Sequence, residues 1–172
     1  MEKNTITNKL KIKKRVLFFS SVKDLELFKI TGFYATDIKI LEDLNYHVVV
    51  SNSYQDFLKF WNYDISFIYF WTKGFLPAVL SKLFNKRVIF TGGIDRLDKG
   101  FNKSKFDYFL KKYFFKLCTI FSDANIIVSN SDIHNIKLTN FSVNNIQYIP
   151  HVLDFNSYAY NGENKENIIK EI

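Results

Sequence analysis

A chain of 172 residues, 47% of them hydrophobic, is long enough to close one substantial core, burying roughly 70% of its unfolded surface without help from disulfides or metals. Its single cysteine, Cys118, excludes an internal disulfide and a multi-cysteine zinc site, and fits a reducing compartment, the cytoplasm by default. The formal charge of +7 comes almost wholly from lysine, with only Arg15, Arg87 and Arg96 beside it, whereas proteins that read bases favour the bidentate fork of arginine; nucleic acid is not an expected partner.

The chain opens with a basic lead, residues 1–13, that includes Lys9, Lys11 and Lys13. The apolar run behind it is too short for a signal-peptide core, and no segment approaches the ~20 apolar residues of a membrane span. One theme then repeats: a short β-rich apolar run ends in small polar residues, and a segment with helical spacing follows. The runs are Val16 to Phe19, His47 to Val50, Ile65 to Trp71, Arg87 to Phe90, Asn125 to Val128 and Ile146 to Ile149. Such alternation predicts an α/β fold, a Rossmann-like doubly wound, mainly parallel six-stranded sheet over residues 14–158, with 159–172 as a linker or tail.

Between the runs, helices are expected at Gly32 to Leu44, Gln55 to Trp61, Gly74 to Phe84 with Pro77 in its first turn, Ser104 to Ser122, and Ser131 to Thr139 capped by Ser131. The longest places Phe106, Phe109, Tyr113, Phe114, Leu117 and Phe121 along one side, with Cys118 within the apolar stripe as a packing residue rather than a nucleophile, and Lys105, Lys112 and Lys116 along another. A wound sheet requires apolar stripes, so this one is expected to pack inward with its lysines in water. The other use of a basic amphipathic helix is to lie on an anionic membrane.

In open wound sheets ligands collect beyond the carboxyl ends of the strands, where the strand order reverses. The common order 3-2-1-4-5-6 sets the loop from Ser20 to Gly32 opposite the loop from Gly92 to Arg96. The segment RVIFTGGIDRLD, Arg87 to Asp98, is the most compact combination of rigid strand, permissive turn and charged pair in the chain. Gly93, Asp95 and Arg96 are thus candidate substrate contacts, with Asp95 to accept from hydroxyls and Arg96 to pair with an anion. Gly32, opening a helix, joins them, since helix N-termini favour anions. No G-x-G-x-x-G fingerprint, G-x-x-x-x-G-K-[ST] loop or G-x-S-x-G elbow is present, and His47, His134 and His151 lack metal-ligand spacing.

Five stretches together carry a resemblance: VLFFSS, GFYATDIKILEDLNYHVVV opening at Gly32, VIFTGGID, DANIIVSNS and IQYIPHVLD. In order and spacing they resemble the N-terminal half of a GT-B glycosyltransferase, nearest the family 4 group that builds bacterial capsule, O-antigen and related glycans. The resemblance implies a retaining transfer of sugar from a nucleotide-sugar to a glycan or lipid-linked acceptor, without metal or other cofactor. It implies that this chain supplies the acceptor side, which adds Phe33 and Trp71 to the candidate contacts, Trp71 either stacking on a sugar ring or capping the core at a strand end, and that Pro150, His151 and Asp154 form the hinge towards a donor-binding C-terminal domain joined in cis or in trans. Alone, the chain is expected to be inactive. Val152 stands where the family's hinge has glycine, and Gly93 to Asp95 stand where it often has a histidine. The competing expectation is a non-catalytic α/β domain that binds a membrane surface or a partner chain.

Overall fold

A computed structural model describes residues 13–94, 97, 102, 104–139, 143 and 145–151. The six strands are β1 (Arg15–Phe19), β2 (His47–Ser51), β3 (Ile65–Tyr69), β4 (Arg87–Thr91), β5 (Ala124–Ile127) and β6 (Ile146–Tyr148). All neighbours are parallel, in the order β2-β1-β3-β4-β5-β6. The sheet is therefore the expected parallel, Rossmann-like one, but its order corrects the 3-2-1-4-5-6 arrangement. The strand order reverses between β1 and β3, and β3 separates β1 from β4.

Side chains on the central strands alternate between two cores, as the period of two in a strand demands. Val16 and Phe18 of β1, with Ile65, Phe67 and Tyr69 of β3, enter one core. Leu17, Phe19, Ile68, Val88 and Phe90 enter the other. The first core is closed by α1 (Leu27–Ile30), a short helix absent from the sequence reading, and α2 (Gly32–Asp43), through Phe28 and Tyr34. The second is closed by α3 (Trp71–Leu83), α4 (Lys105–Ile120) and α5 (Asn130–Leu138), through Ala78, Phe115, Cys118 and Ile136.

Two helices end in the same way. After α2, the N–H of Asn45 donates to the Glu42 carbonyl (2.8 Å) and that of Tyr46 to Leu41 (3.0 Å); after α3, Asn85 donates to Lys82 (3.0 Å) and Lys86 to Ser81 (2.9 Å). Both asparagines are left-handed, at φ 66° and 54°, a conformation Asn tolerates better than most side chains. Each motif turns the chain straight into the next strand.

Helix α3 starts three residues earlier than expected, so Pro77 lies inside it rather than in its first turn. Proline has no N–H to give the carbonyl four residues back, that of Lys73. The hydroxyl of Tyr54, in a 3-10 segment after β2 (Tyr54–Leu58), donates to that oxygen instead, at 3.3 Å. Close packing of α3 on the sheet also needs Gly74: a Cβ there would lie 2.3 Å from Phe90 Cε1 and 2.7 Å from Ile68 Cγ2. The expected cap of α5 moves as well, because Ser129, not Ser131, accepts the capping N–H.

The largest correction concerns α4. Its buried residues are Phe115 and Cys118, whereas Phe106, Phe109, Tyr113 and Phe114 are exposed. The helix leans on α3 with the face of Phe115 and Cys118, of which the sequence reading had singled out only Cys118 for packing, and Phe75 of α3 meets the edges of Phe114 and Phe121 at ring distances of 5.8 and 5.9 Å. Of the expected stripe, Phe106, Phe109 and Tyr113 point away from the core, while Phe121 packs against it.

Candidate functional site

A cleft of about 310 Å³ opens at the carboxyl ends of the central strands. The loop after β1 contributes Ser21 to it, the exit of β3 contributes Phe70 to Lys73, and the loop after β4 contributes Gly93 and Ile94, with Lys111 and Phe115 reaching in from α4. Although β1 and β4 are not neighbours, their loops do meet here, across the end of β3.

The backbone that builds the cleft is bent at Phe70, which sits at φ 69° and ψ 119°, outside the regions that side chains ordinarily adopt. A non-glycine residue held so costs about 1–3 kcal/mol. Gly92 faces it at φ 107°, and a Cβ on Gly92 would approach the rings of Tyr69 and Phe70 to 3.2 and 3.3 Å. The Phe70 N–H donates to the Thr91 carbonyl at 3.0 Å, locking the two bends together. Of the glycine pair, Gly92 uses the left-handed freedom that the sequence suggested.

The bend aims the N-terminus of α3 at the cleft, and no side chain caps it. That end carries partial positive charge and free donor capacity. Thr72 and Lys73 stand on the same turn. Lys111, largely buried, donates to Asn102 Oδ1 at 3.0 Å and pairs with Asp107 one helical turn away. Ser21, Thr72, Lys73 and Lys111 thus share one cavity with apolar neighbours such as Phe70, Ile94 and Phe115, a mixture suited to an anionic or hydroxyl-rich ligand.

The candidate residues separate into two groups. Trp71 and Gly93 line the cleft, but the Trp71 indole is only 2% exposed, stacks on Phe90 at 5.7 Å and donates from Nε1 to Asn125 Oδ1 at 3.1 Å. Of its two sequence readings, the core cap is the one the geometry matches. Gly32 and Phe33 do not line the cleft. Gly32 begins α2 directly behind α1, and Phe33 stacks on His151 with ring centres 5.3 Å apart. Pro150 and His151 border a second, mostly apolar groove of about 340 Å³ between α2 and the sheet. Asp95, Arg96, Asp154 and most of the basic lead lie outside the described residues.

Near Phe33 runs a polar chain that the sequence reading missed. Ser20 Oγ and the Tyr34 hydroxyl are 2.7 Å apart, the Tyr34 and Tyr69 rings meet edge to face at 4.6 Å, and the Tyr69 hydroxyl donates to Asp37. Burial raises the Asp37 carboxyl above the usual carboxylate range, against the lowering pull of the Tyr69 hydrogen bond and the His151 charge. Burial and the adjoining Asp37 push the Tyr69 phenol far up. The sequence reading sets Asp37 on the outer face of α2 with Lys39, Glu42 and Asp43, although at 100° per residue it falls between Phe33 and Leu41; Lys73 and Lys111 look like any of the other lysines. Cys118, by contrast, behaves as read: it is buried, its thiol is raised by burial, and Sγ donates to the Trp71 carbonyl at 2.8 Å.

The fold has a counterpart among solved structures. HepE from Anabaena, solved with UDP and glucose, matches at a TM-score of 0.56 and 13% identity, over 84% of this chain and 46% of HepE. The fold is shared with part of HepE. The HepE complex with UDP-glucose matches at a TM-score of 0.55 and 16% identity, over 84% of this chain and 45% of HepE, and the complex with UDP at 0.55 and 15%, over 86% and 46%. The chain spans less than half the length of the HepE structures it matches. No family profile and no curated protein sequence matches it.

Proposed function

We propose that the chain forms the acceptor-side half of a GT-B glycosyltransferase of the family 4 type, moving a sugar from a nucleotide-sugar to a glycan or lipid-linked acceptor with retention of configuration. The observation that carries this reading is the cleft at the strand ends, with α3's uncapped N-terminus, Lys73 and Lys111 around it, on a fold that HepE uses in complexes with UDP and glucose. On this reading the donor is held by a second domain, supplied in cis or in trans, which closes over the cleft and excludes water from the transfer. The cations of the cleft then face the sugar-phosphate as negative charge builds on the leaving group, where fixed charge is most effective. Ser21 and Thr72 offer hydroxyls to the acceptor.

The test is radiolabel transfer from UDP-glucose to a lipid or glycan extract, with the chain joined to its donor-binding domain. Lys73→Ala and Lys111→Met are expected to lower transfer by about tenfold or more at unchanged far-UV circular dichroism. Transfer at the wild-type rate in both variants would remove the cleft from the reaction.

A further inference from the structure

Three aromatic residues line the cleft at the strand ends, and two of them have almost no surface to offer. Trp71 is 2% exposed and Phe115 1%, both committed to the core behind the cavity. Among the described residues, Phe70 is the one aromatic side chain of the lining that stays half-exposed. It is also the single residue between the end of β3 and the start of α3, and it makes that connection at φ 69° and ψ 119°. Glycine is the residue such a conformation favours, because it has no Cβ to strain; here the position carries a phenyl ring. The surroundings are fitted to that ring. Its Cδ1 and Cε1 atoms lie 3.3 Å from where a Cβ on Gly92 would stand, and the Tyr69 ring meets it at 5.7 Å and 69°. Backbone bonds fix both ends of the bend: the Phe70 N–H donates to the Thr91 carbonyl at 3.0 Å, and the Gly74 N–H donates to the Phe70 carbonyl at 3.2 Å. Side chains held in strained backbone cluster where a ligand is gripped, and this one shares its cavity with the hydroxyls of Ser21 and Thr72 and the Lys111 ammonium.

We propose that Phe70 is the stacking platform for a pyranose ring and that this pyranose is the terminal sugar of the acceptor, a role that rests on the transferase reading. A pyranose presents C–H bonds on its faces and hydroxyls around its rim. The C–H bonds suit the negative face of an aromatic ring. The rim suits Ser21, Thr72 and Lys111. An isoprenoid phosphate also meets an aromatic ring well, but its chain would leave those hydroxyls without partners once water is displaced. The cavity, about 310 Å³, is at the small end of ligand sites, which fits a sugar unit better than a long chain. The acceptor is thereby narrowed to one that already carries sugar.

Saturation-transfer NMR on the full chain tests the contact without the transfer reaction. With the aromatic protons irradiated, methyl β-glucopyranoside or methyl β-galactopyranoside is expected to receive saturation on the C–H protons of one ring face, and geranyl phosphate none. Phe70→Tyr should keep the signal, whereas Phe70→Ala and Phe70→Gly should lose it. The last two lack the same ring and differ by a Cβ at positive φ, so Phe70→Gly should melt a few degrees above Phe70→Ala, with circular dichroism checking the fold of both. In the chain joined to its donor-binding domain, Phe70→Gly should raise the KM for the glycoside that binds about fivefold and leave that for UDP-glucose unchanged, with Phe70→Tyr restoring the parent value. No saturation on either glycoside, saturation that survives Phe70→Gly, or saturation on geranyl phosphate in their place would overturn the platform. An alanine variant that melts with the glycine one would show the bend unstrained and count the ring as ordinary packing. A rise in the UDP-glucose KM alone would make the ring a donor contact and overturn the acceptor role. A sugar signal lost in Phe70→Gly, beside a joined parent that transfers nothing, would sink the transferase reading and leave the sugar platform standing.

Discussion

Asp37 accepts a hydrogen bond from Tyr69 while burial holds its carboxyl proton more tightly than in the unfolded chain. A carboxyl with a raised folded pKa favours the fold when protonated. Its contribution is complete below the unfolded value, about pH 4, and is lost as the pH climbs through the higher folded value. Asp37→Asn keeps an acceptor for Tyr69 and abolishes the titration, so urea midpoints of this variant should vary less between acid and neutral pH than those of the parent. Asp37→Ala strands the buried Tyr69 hydroxyl and is expected to cost about 1–3 kcal/mol at any pH. Equal damage from Asn and Ala at neutral pH would show that the carboxylate charge, not the acceptor, holds the site together. At this scale the sequence was readable where one residue has one fate. Cys118 in an apolar stripe became a core thiol. Trp71 had two fates, and only its bond to Asn125 and its contact with Phe90 separate them.

The mended break in α3 is a property of two elements. If Tyr54 replaces the hydrogen bond that Pro77 cannot give, the two residues must be coupled. Tyr54→Phe alone should cost about 0.5 kcal/mol, because the bond is exposed and long. In a Pro77→Ala background, where residue 77 has its own N–H for the Lys73 carbonyl, the same change should cost close to nothing. A double-mutant cycle by chemical denaturation reads the difference, and equal costs in both backgrounds would make the Tyr54 bond incidental. Elements were the most legible level of this chain, since apolar alternation and the Asn-ended helices are written in the residues themselves. The start of α3 was not, because nothing in Phe-Trp-Thr-Lys marks a phenylalanine forced to positive φ. Nor was the orientation of α4: periodicity says that Phe106, Phe109 and Tyr113 share a side, and it says as much of Phe115 and Cys118, but it does not say which side the body takes.

Strand order belongs to the molecule as a whole and was misread for that reason. Both 3-2-1-4-5-6 and 2-1-3-4-5-6 use the same six runs in the same sequence; they differ only in whether the chain, leaving the second strand, crosses back over the first. The correction moves the reversal point to β1 and β3, which puts the bent exit of β3, rather than Gly32, at the centre of the cleft. The joint between α4 and the core offers a measure of how firmly the parts are held. Cys118 lies in that joint, bonded to the Trp71 carbonyl with its thiolate disfavoured by burial, so it should react with a thiol reagent only through openings that detach α4. Labelling is expected to be slow in buffer and to accelerate with urea in step with the loss of circular dichroism. Rapid labelling in buffer would reveal a loosely seated helix.

The sheet's outer margin has a safeguard of its own. Strand β6 is three residues long, and Ile149 behind it still donates inward, to the Ile127 carbonyl at 2.9 Å. By the alternation of extended chain, the next amide would face outward, towards any stray strand seeking to add itself, and position 150 is proline. The proline thus limits the edge to the outward amides of Ile146 and Tyr148, a short row on which to seat another strand.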